Sequence, residues 1–168
     1  MRIAILVLAI GILAFIAYGD VRSRRIPNAL SLAIAILGII RLILANDAIA
    51  AVHSVGAAVL IFVIAFVLFW RGAIGGGDAK LIAAMTLLIC DRDLFSFLFL
   101  TSLCGGVLAL AILARDRLRP KLLIWLARLS ATEAPESPPM PRPSTVPYGV
   151  AIAVAGAITL ILEAPFPR

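Results

Sequence analysis

Three consecutive glycines, Gly75, Gly76 and Gly77, run straight into a carboxylate, Asp78, and then into the apolar stretch that Ala79 opens. A charged side chain at the mouth of an apolar segment is costly to hold, which marks it as a functional candidate. The glycines add a second reason: non-helical backbone at membrane depth persists only where protein or water satisfies its polar groups. Another carboxylate, Asp20, closes the apolar run from Ile3 to Gly19 and is followed by Arg22, Arg24 and Arg25. Two carboxylates brought together can share one proton, because like charges held close cannot both ionise. One then acts as base on a water while the other, protonated, polarises a carbonyl. That chemistry needs no metal, no cofactor and no nucleophilic side chain. Each residue also has a plain structural reading. Asp78 can cap the helix that follows it, and Asp20 can be a loop charge balanced by three arginines. The order of residues leaves open whether the two carboxylates meet.

Competing chemistries lack parts. Ser-His-Asp catalysis would need His53, the single histidine, which falls near the opposite end of the layout from Asp20 and Asp78. A zinc site takes about four ligands, whereas Cys90 and Cys104 stand isolated, so no metal and no cofactor are expected. The glycine run is not a phosphate-binding loop, since Lys80 is followed by Leu81 and not by Ser or Thr.

The elements that must position the two aspartates are apolar. Of 168 residues, 63% are hydrophobic and 14% charged, with mean hydropathy +1.13; water-soluble domains are about 45–50% apolar. The net charge of +6 would suggest nucleic acid in a soluble protein. Here the basic residues flank apolar runs, so membrane topology explains them and no nucleic-acid partner is expected. The partner such a chain needs is a lipid bilayer.

Segment one, Ile3 to Gly19, is long enough to span at about 1.5 Å per residue. Arg2 before it is outweighed by the three arginines beyond it, which sets its N-terminus outside. The three arginines that follow it make it read as a membrane helix and not as a removable leader. Asp20 to Asn28 is then an inner loop, with Pro27 stopping any through-running helix. Segment two, Ala29 to Ala45, carries Arg41 one turn from its outer end, from where it can snorkel to the headgroups. Asn46-Asp47 makes an outer turn. Segment three runs from about Ile49 to Trp70, with His53 as an interfacial side chain near its outer end.

Segment four, Ala79 to Cys90, covers only about 18 Å as a helix, well short of a hydrocarbon core of about 30 Å. If Asp91-Arg92-Asp93 marks the outer surface, Asp78 lies inside the bilayer; the alternative is that Asp91 to Asp93 dips inward. Segment five, Leu94 to Ala114, contains Cys104-Gly105-Gly106 as a close-packing patch. Residues 115–147 then form a cytoplasmic loop. Within it, Leu122, Leu126 and Leu129 share one face of a short surface helix from Lys121 to Leu129, and Glu133 to Pro147 is a Pro-rich linker. Segment six is Tyr148 to Leu162. Outside the segments, only Arg2, Arg92 and Arg168 among the basic residues fall on the outer side. The expected fold is all-α: one membrane-embedded bundle over residues 1–168, with about six transmembrane segments and both termini outside. Asp20 and Asp78 then share the inner side.

These stretches resemble a known family. Asp20 with Arg24-Arg25-Ile26-Pro27-Asn28, and Gly75-Gly76-Gly77-Asp78-Ala79-Lys80-Leu81, are similar to the two signature regions of type IV prepilin peptidases. The second is similar to the Gly-x-Gly-Asp motif shared with other membrane aspartyl proteases. Pro147-Tyr148-Gly149-Val150-Ala151-Ile152-Ala153 resembles the last-helix opening of the small members that serve tight-adherence (Flp) pili. The resemblance implies an endopeptidase that cuts short basic leaders from prepilin or pseudopilin precursors, just after a glycine. The cut would fall at the cytoplasmic face of a bacterial inner membrane. It also implies Asp20 and Asp78 as catalytic residues, Gly75, Gly76 and Gly77 as shaping the site, and no cofactor. Arg22, Arg24, Arg25 and Lys80 are candidate substrate contacts. The paired C-x-x-C region of larger members is lacking, so N-methylation of the product is not expected. A preflagellin-type or general intramembrane Gly-x-Gly-Asp protease would keep the same pair and cut other substrates. A transporter or assembly subunit would depend on Asp78 and be indifferent to Asp20.

Overall fold

The structure, a computed structural model, describes residues 2–24, 26–89, 91–129 and 147–163. Arg25, Cys90 and the Pro-rich linker therefore lie outside the described residues, as do the side chains of 119–129. Among the described residues the chain forms six α-helices: α1 Arg2–Ser23, α2 Asn28–Ala45, α3 Ala48–Trp70, α4 Gly76–Leu88, α5 Leu94–Leu129 and α6 Tyr148–Glu163. A 3-10 turn over Asp91–Asp93 precedes α5, and no strand is present among these residues. The protein is a polytopic helical membrane bundle. Four stretches, Ile3–Ser23, Asn28–Ala45, Ala48–Trp70 and Leu94–Leu118, are long and apolar enough to cross a bilayer.

Local chemistry sets the turns. Asp47 accepts from the N–H groups of Ile49 and Ala50 at 3.1 Å each and so caps α3. Asn46, at φ 52°, ends α2 in the left-handed region, which asparagine tolerates better than most residues. The Asn46-Asp47 turn is thus where the sequence puts it.

The chain divides into two compact units, one formed by Met1–Gly105 with Pro147–Arg168 and the other by Gly106–Val146. In the first unit α4 packs against α2, α3 and α6, and α1 packs against α6 and α2. Leu13 and Ile16 of α1, Ile34 of α2, Leu81 and Met85 of α4, and Ile152 of α6 are fully buried between them. Large apolar side chains such as Val7, Phe15, Val59 and Phe66 are exposed, as expected of a surface that meets lipid tails. In the second unit the described residues continue α5, where Arg115 and Asp116 approach to 3.8 Å.

Three boundaries differ from the sequence reading. Helix α1 runs on to Ser23, so Asp20 is helical and not in a loop. Polar residues do not stop a helix whose backbone bonds continue, and the Arg24 N–H still donates to the Asp20 carbonyl at 2.9 Å. The reversal comes at Arg24, with φ 51°. Helix α4 begins at Gly76, so two of the three glycines and Asp78 form its first turn. Helix α5 does not stop at Ala114 but continues through Pro120 to Leu129; Arg115, Arg117, Leu118 and Arg119 favour helix, and Pro120 forgoes one backbone bond without ending the helix. The separate surface helix over Lys121 to Leu129 is therefore a continuation of α5.

Helix α4 has 13 residues, about 20 Å, and cannot cross a core of about 30 Å. A helix end inside a bundle leaves carbonyls without partners. Arg41 supplies one: its Nη1 donates to the carbonyl of Leu88, the last residue of α4. The sequence reading sent Arg41 to the headgroups, but a cation is also stabilised at a helix C-terminus, and α4 ends within its reach. The two helices approach closely nearby. A Cβ on Gly38 of α2 would stand 2.8 Å from the Leu87 carbonyl carbon. The close-packing patch on α5 is half as expected, with Gly105 closely covered and Gly106 meeting nothing within 4 Å.

Gly38→Ala should therefore lower stability by about 1–3 kcal/mol through overpacking. Gly56→Ala, where nothing lies within 4 Å, should be neutral or slightly stabilising. Unfolding of the purified variants in bicelles checks this, and equal stabilities would refute a tight α2–α4 seam.

Candidate active site

Asp20 is 5% exposed, and a buried carboxylate needs donors. It finds them on another helix. One oxygen, Oδ2, accepts from the Val150 N–H at 3.2 Å, and the Gly149 N–H also donates to the carboxylate. Both belong to the first turn of α6, whose early N–H groups lack the usual partner four residues back; the Val150 N–H is shared with the Pro147 carbonyl at 3.3 Å. Pro147, the residue before α6, has no side-chain oxygen to cap it. A carboxylate 130 residues earlier in the chain does so instead, at the end of the helix where negative charge is favoured.

Asp78 sits in the first turn of α4, whose N-cap residue is Gly75. The Gly75 N–H donates to the Asp78 carboxylate, and the Gly75 carbonyl accepts from the Ala79 N–H at 3.1 Å. This is the returning half of a capping box, with Asp in place of Glu. Asp78 is therefore not the N-cap of the plain reading: Gly75 holds that position, and Asp78 lies three residues on and reaches back to it. Each glycine of the run faces a close neighbour. A Cβ would stand 2.8 Å from Asp78 Oδ2 at Gly75, 3.1 Å from Phe69 Cε2 at Gly76, and 3.1 Å from Ile26 Cβ at Gly77.

The two carboxylates come close enough for the charge of Asp20 to act on Asp78. They arrive from α1 and α4, and Ile26 packs against the opening turns of both α4 and α6. Its Cδ1 lies 2.8 Å from where a Cβ on Gly149 would stand. Such a pair, with one member held by main-chain N–H groups, can take a proton from a water and give one to a carbonyl. Among the described residues no group of three or more His, Cys, Asp and Glu is arranged to hold a metal ion.

The basic candidates separate. Arg24 is exposed, and its charge acts on Asp20. Lys80 is exposed and its Nζ donates to Asn28 Oδ1 at 3.1 Å, tying the start of α4 to the start of α2. Arg22 points back along α1, where Nη1 donates to the Tyr18 hydroxyl at 3.1 Å. Arg25 lies outside the described residues. Sequence reasoning did not single out Gly149 or Ile26. A glycine inside an apolar helix costs about 0.5–1 kcal/mol relative to alanine and so signals a close approach. Nothing in the order of residues says what approaches it.

The profile of the type IV leader peptidase family matches residues 7–110, a stretch that holds both aspartates and ends before α6. No curated protein and no solved structure is detectably similar to the chain.

Capping and charge can be separated at Asp20. Asparagine caps a helix about as well as aspartate, whereas alanine loses about 0.5–2 kcal/mol. Asp20→Asn should therefore keep nearly wild-type stability in detergent and Asp20→Ala should lose roughly 1 kcal/mol. Two equal melting curves would show that Asp20 does not hold α6.

Proposed function

The chain belongs to the type IV leader peptidase family, and from that premise we propose that Asp20 and Asp78 are the catalytic pair of an aspartic-type membrane endopeptidase. One carboxylate takes a proton from a water as its oxygen attacks the scissile carbonyl carbon. The other, protonated, donates to the carbonyl oxygen. Collapse of the tetrahedral adduct breaks the C–N bond: the proton taken from water passes to the leaving amine, and a hydroxyl of the adduct returns its proton to the other carboxylate as the new carboxyl group forms. The observation that carries this reading is the convergence of two carboxylates from separate helices, each given main-chain donors in an apolar bundle.

The substrates on this reading are short basic leaders of Flp-like pilin precursors, cut after a glycine at the cytoplasmic face of a bacterial inner membrane. Support for the substrate comes from the resemblance of the residues 147–153 stretch to the small pilus-serving members; the arginines that follow Asp20 support only the cytoplasmic side. A basic leader would be repelled by those arginines. An acidic residue early in the mature pilin is the better partner, and Arg24 is a described cation whose charge acts on Asp20.

If the two aspartates act as a unit, removing either costs nearly as much as removing both. Asp20→Asn, Asp78→Asn and the double variant should each reduce processing of a co-expressed precursor to background while accumulating in the membrane. Asp47→Asn keeps its cap and Asp116 has no glycine run beside it, so both variants should process normally. Asp20→Asn cleaving at the normal rate would end the protease-pair reading and leave Asp78 alone to explain. Arg24→Glu should slow cleavage, and a precursor with its acidic residue reversed to lysine should recover part of the rate. Failure of every reversed precursor would reduce the arginines to topology signals.

A further inference from the structure

Helix α6 lies beyond the stretch that matches the family, yet its first turn reaches the candidate site. The Gly149 and Val150 N–H groups both donate to the Asp20 carboxylate. They do so only because position 149 has no side chain. A Cβ there would stand 2.8 Å from Asp20 Oδ2, 3.0 Å from its Cγ and 2.8 Å from Ile26 Cδ1. The turn has little room to retreat. Tyr148 is seated over Gly105 of α5, its Cζ 2.6 Å from where a Cβ on that glycine would be. Further along α6, Ile152 and Ala155 are fully buried, and a Cβ on Gly156 would meet Met85 Cε of α4 at 2.5 Å. An added methyl at 149 must therefore displace the carboxylate or open the core.

We infer that Gly149 is a positioning residue for peptide-bond cleavage: it lets the first turn of α6 grip the Asp20 carboxylate and fix it toward Asp78. The inference rests on the reading of Asp20 as catalytic. It makes the opening of α6 part of the machinery, acting through Asp20 and not through substrate.

The test uses the full-length chain in proteoliposomes, with a pilin precursor bearing a short basic leader that ends in glycine. Gly149→Ala should lower kcat by about a hundredfold, the scale of an ångström-sized misplacement, with KM nearly unchanged. Gly11→Ala, at a glycine with nothing within 4 Å, should match wild type. Ile26→Val removes the Cδ1 contact but not the carboxylate contact, so Gly149→Ala with Ile26→Val should stay slow. A second variant adds no volume: replacing Val150 by its α-hydroxy analogue deletes one N–H donor and should lower kcat about tenfold or more. Normal kcat in Gly149→Ala or in the α-hydroxy variant overturns the inference, as does recovery through Ile26→Val. If Asp20→Asn is inactive while either of those is normal, this inference alone fails. If Asp20→Asn is active, the catalytic reading fails first.

Discussion

A carboxylate inside an apolar bundle must be met by donors, and Asp20 meets the N–H groups of a helix that lies far away in sequence. Leaving a buried charge unpaired costs several kcal/mol, so this contact constrains both sides. Helix α6 needs an acceptor at its first turn, where Pro147 offers no side-chain oxygen. Asp20 needs donors at 5% exposure. Each supplies what the other lacks, and α1 and α6 are joined there. The same logic operates within α4, where the Gly75 N–H serves the Asp78 carboxylate. Both carboxylates of the proposed pair thus sit at the positive ends of helices.

The short helix α4 is the second consequence of the apolar setting. Too short to cross the bilayer, it ends within the bundle, and both of its ends need partners. Asp78 and Gly75 occupy one end and Arg41 the other. Its neighbours α2, α3 and α6 cover its sides. Gly38 and Gly156 are the notches that let α2 and α6 come close enough to do so. At 13 residues α4 cannot bring both of its ends to the two surfaces of a bilayer. Arg41 and Asp78, at opposite ends of it, are in that sense parts of one arrangement.

Much of this was open to reading in the residues themselves. Apolar run length and the polar stretches between runs marked the membrane helices, because burying a backbone in lipid demands continuous helix of a set minimum length. Asp47 marked the start of α3 and Asn46 the end of α2, because capping is decided by neighbouring residues. Gly75-Gly76-Gly77-Asp78 marked a candidate site, because a charge beside bare backbone in an apolar chain has few structural uses. What misled was reading polarity as a helix end. Asp20 to Ser23 and Arg115 to Arg119 are polar and helical, since backbone hydrogen bonds are indifferent to whether the side chain faces lipid or water.

The rest belongs to tertiary structure. That Asp20 and Asp78 come within electrostatic reach, that the Gly149 and Val150 N–H groups and not a side chain hold Asp20, and that Arg41 turns inward to Leu88 are interactions across 47 to 130 residues of sequence. Each partner has an ordinary local reading: a loop charge, a helix glycine, a snorkelling arginine. Local sequence determined which groups would be short of partners. Only the packing of α1, α4 and α6 decided which partners they received, because a hydrogen bond is satisfied by proximity in space and carries no memory of position along the chain.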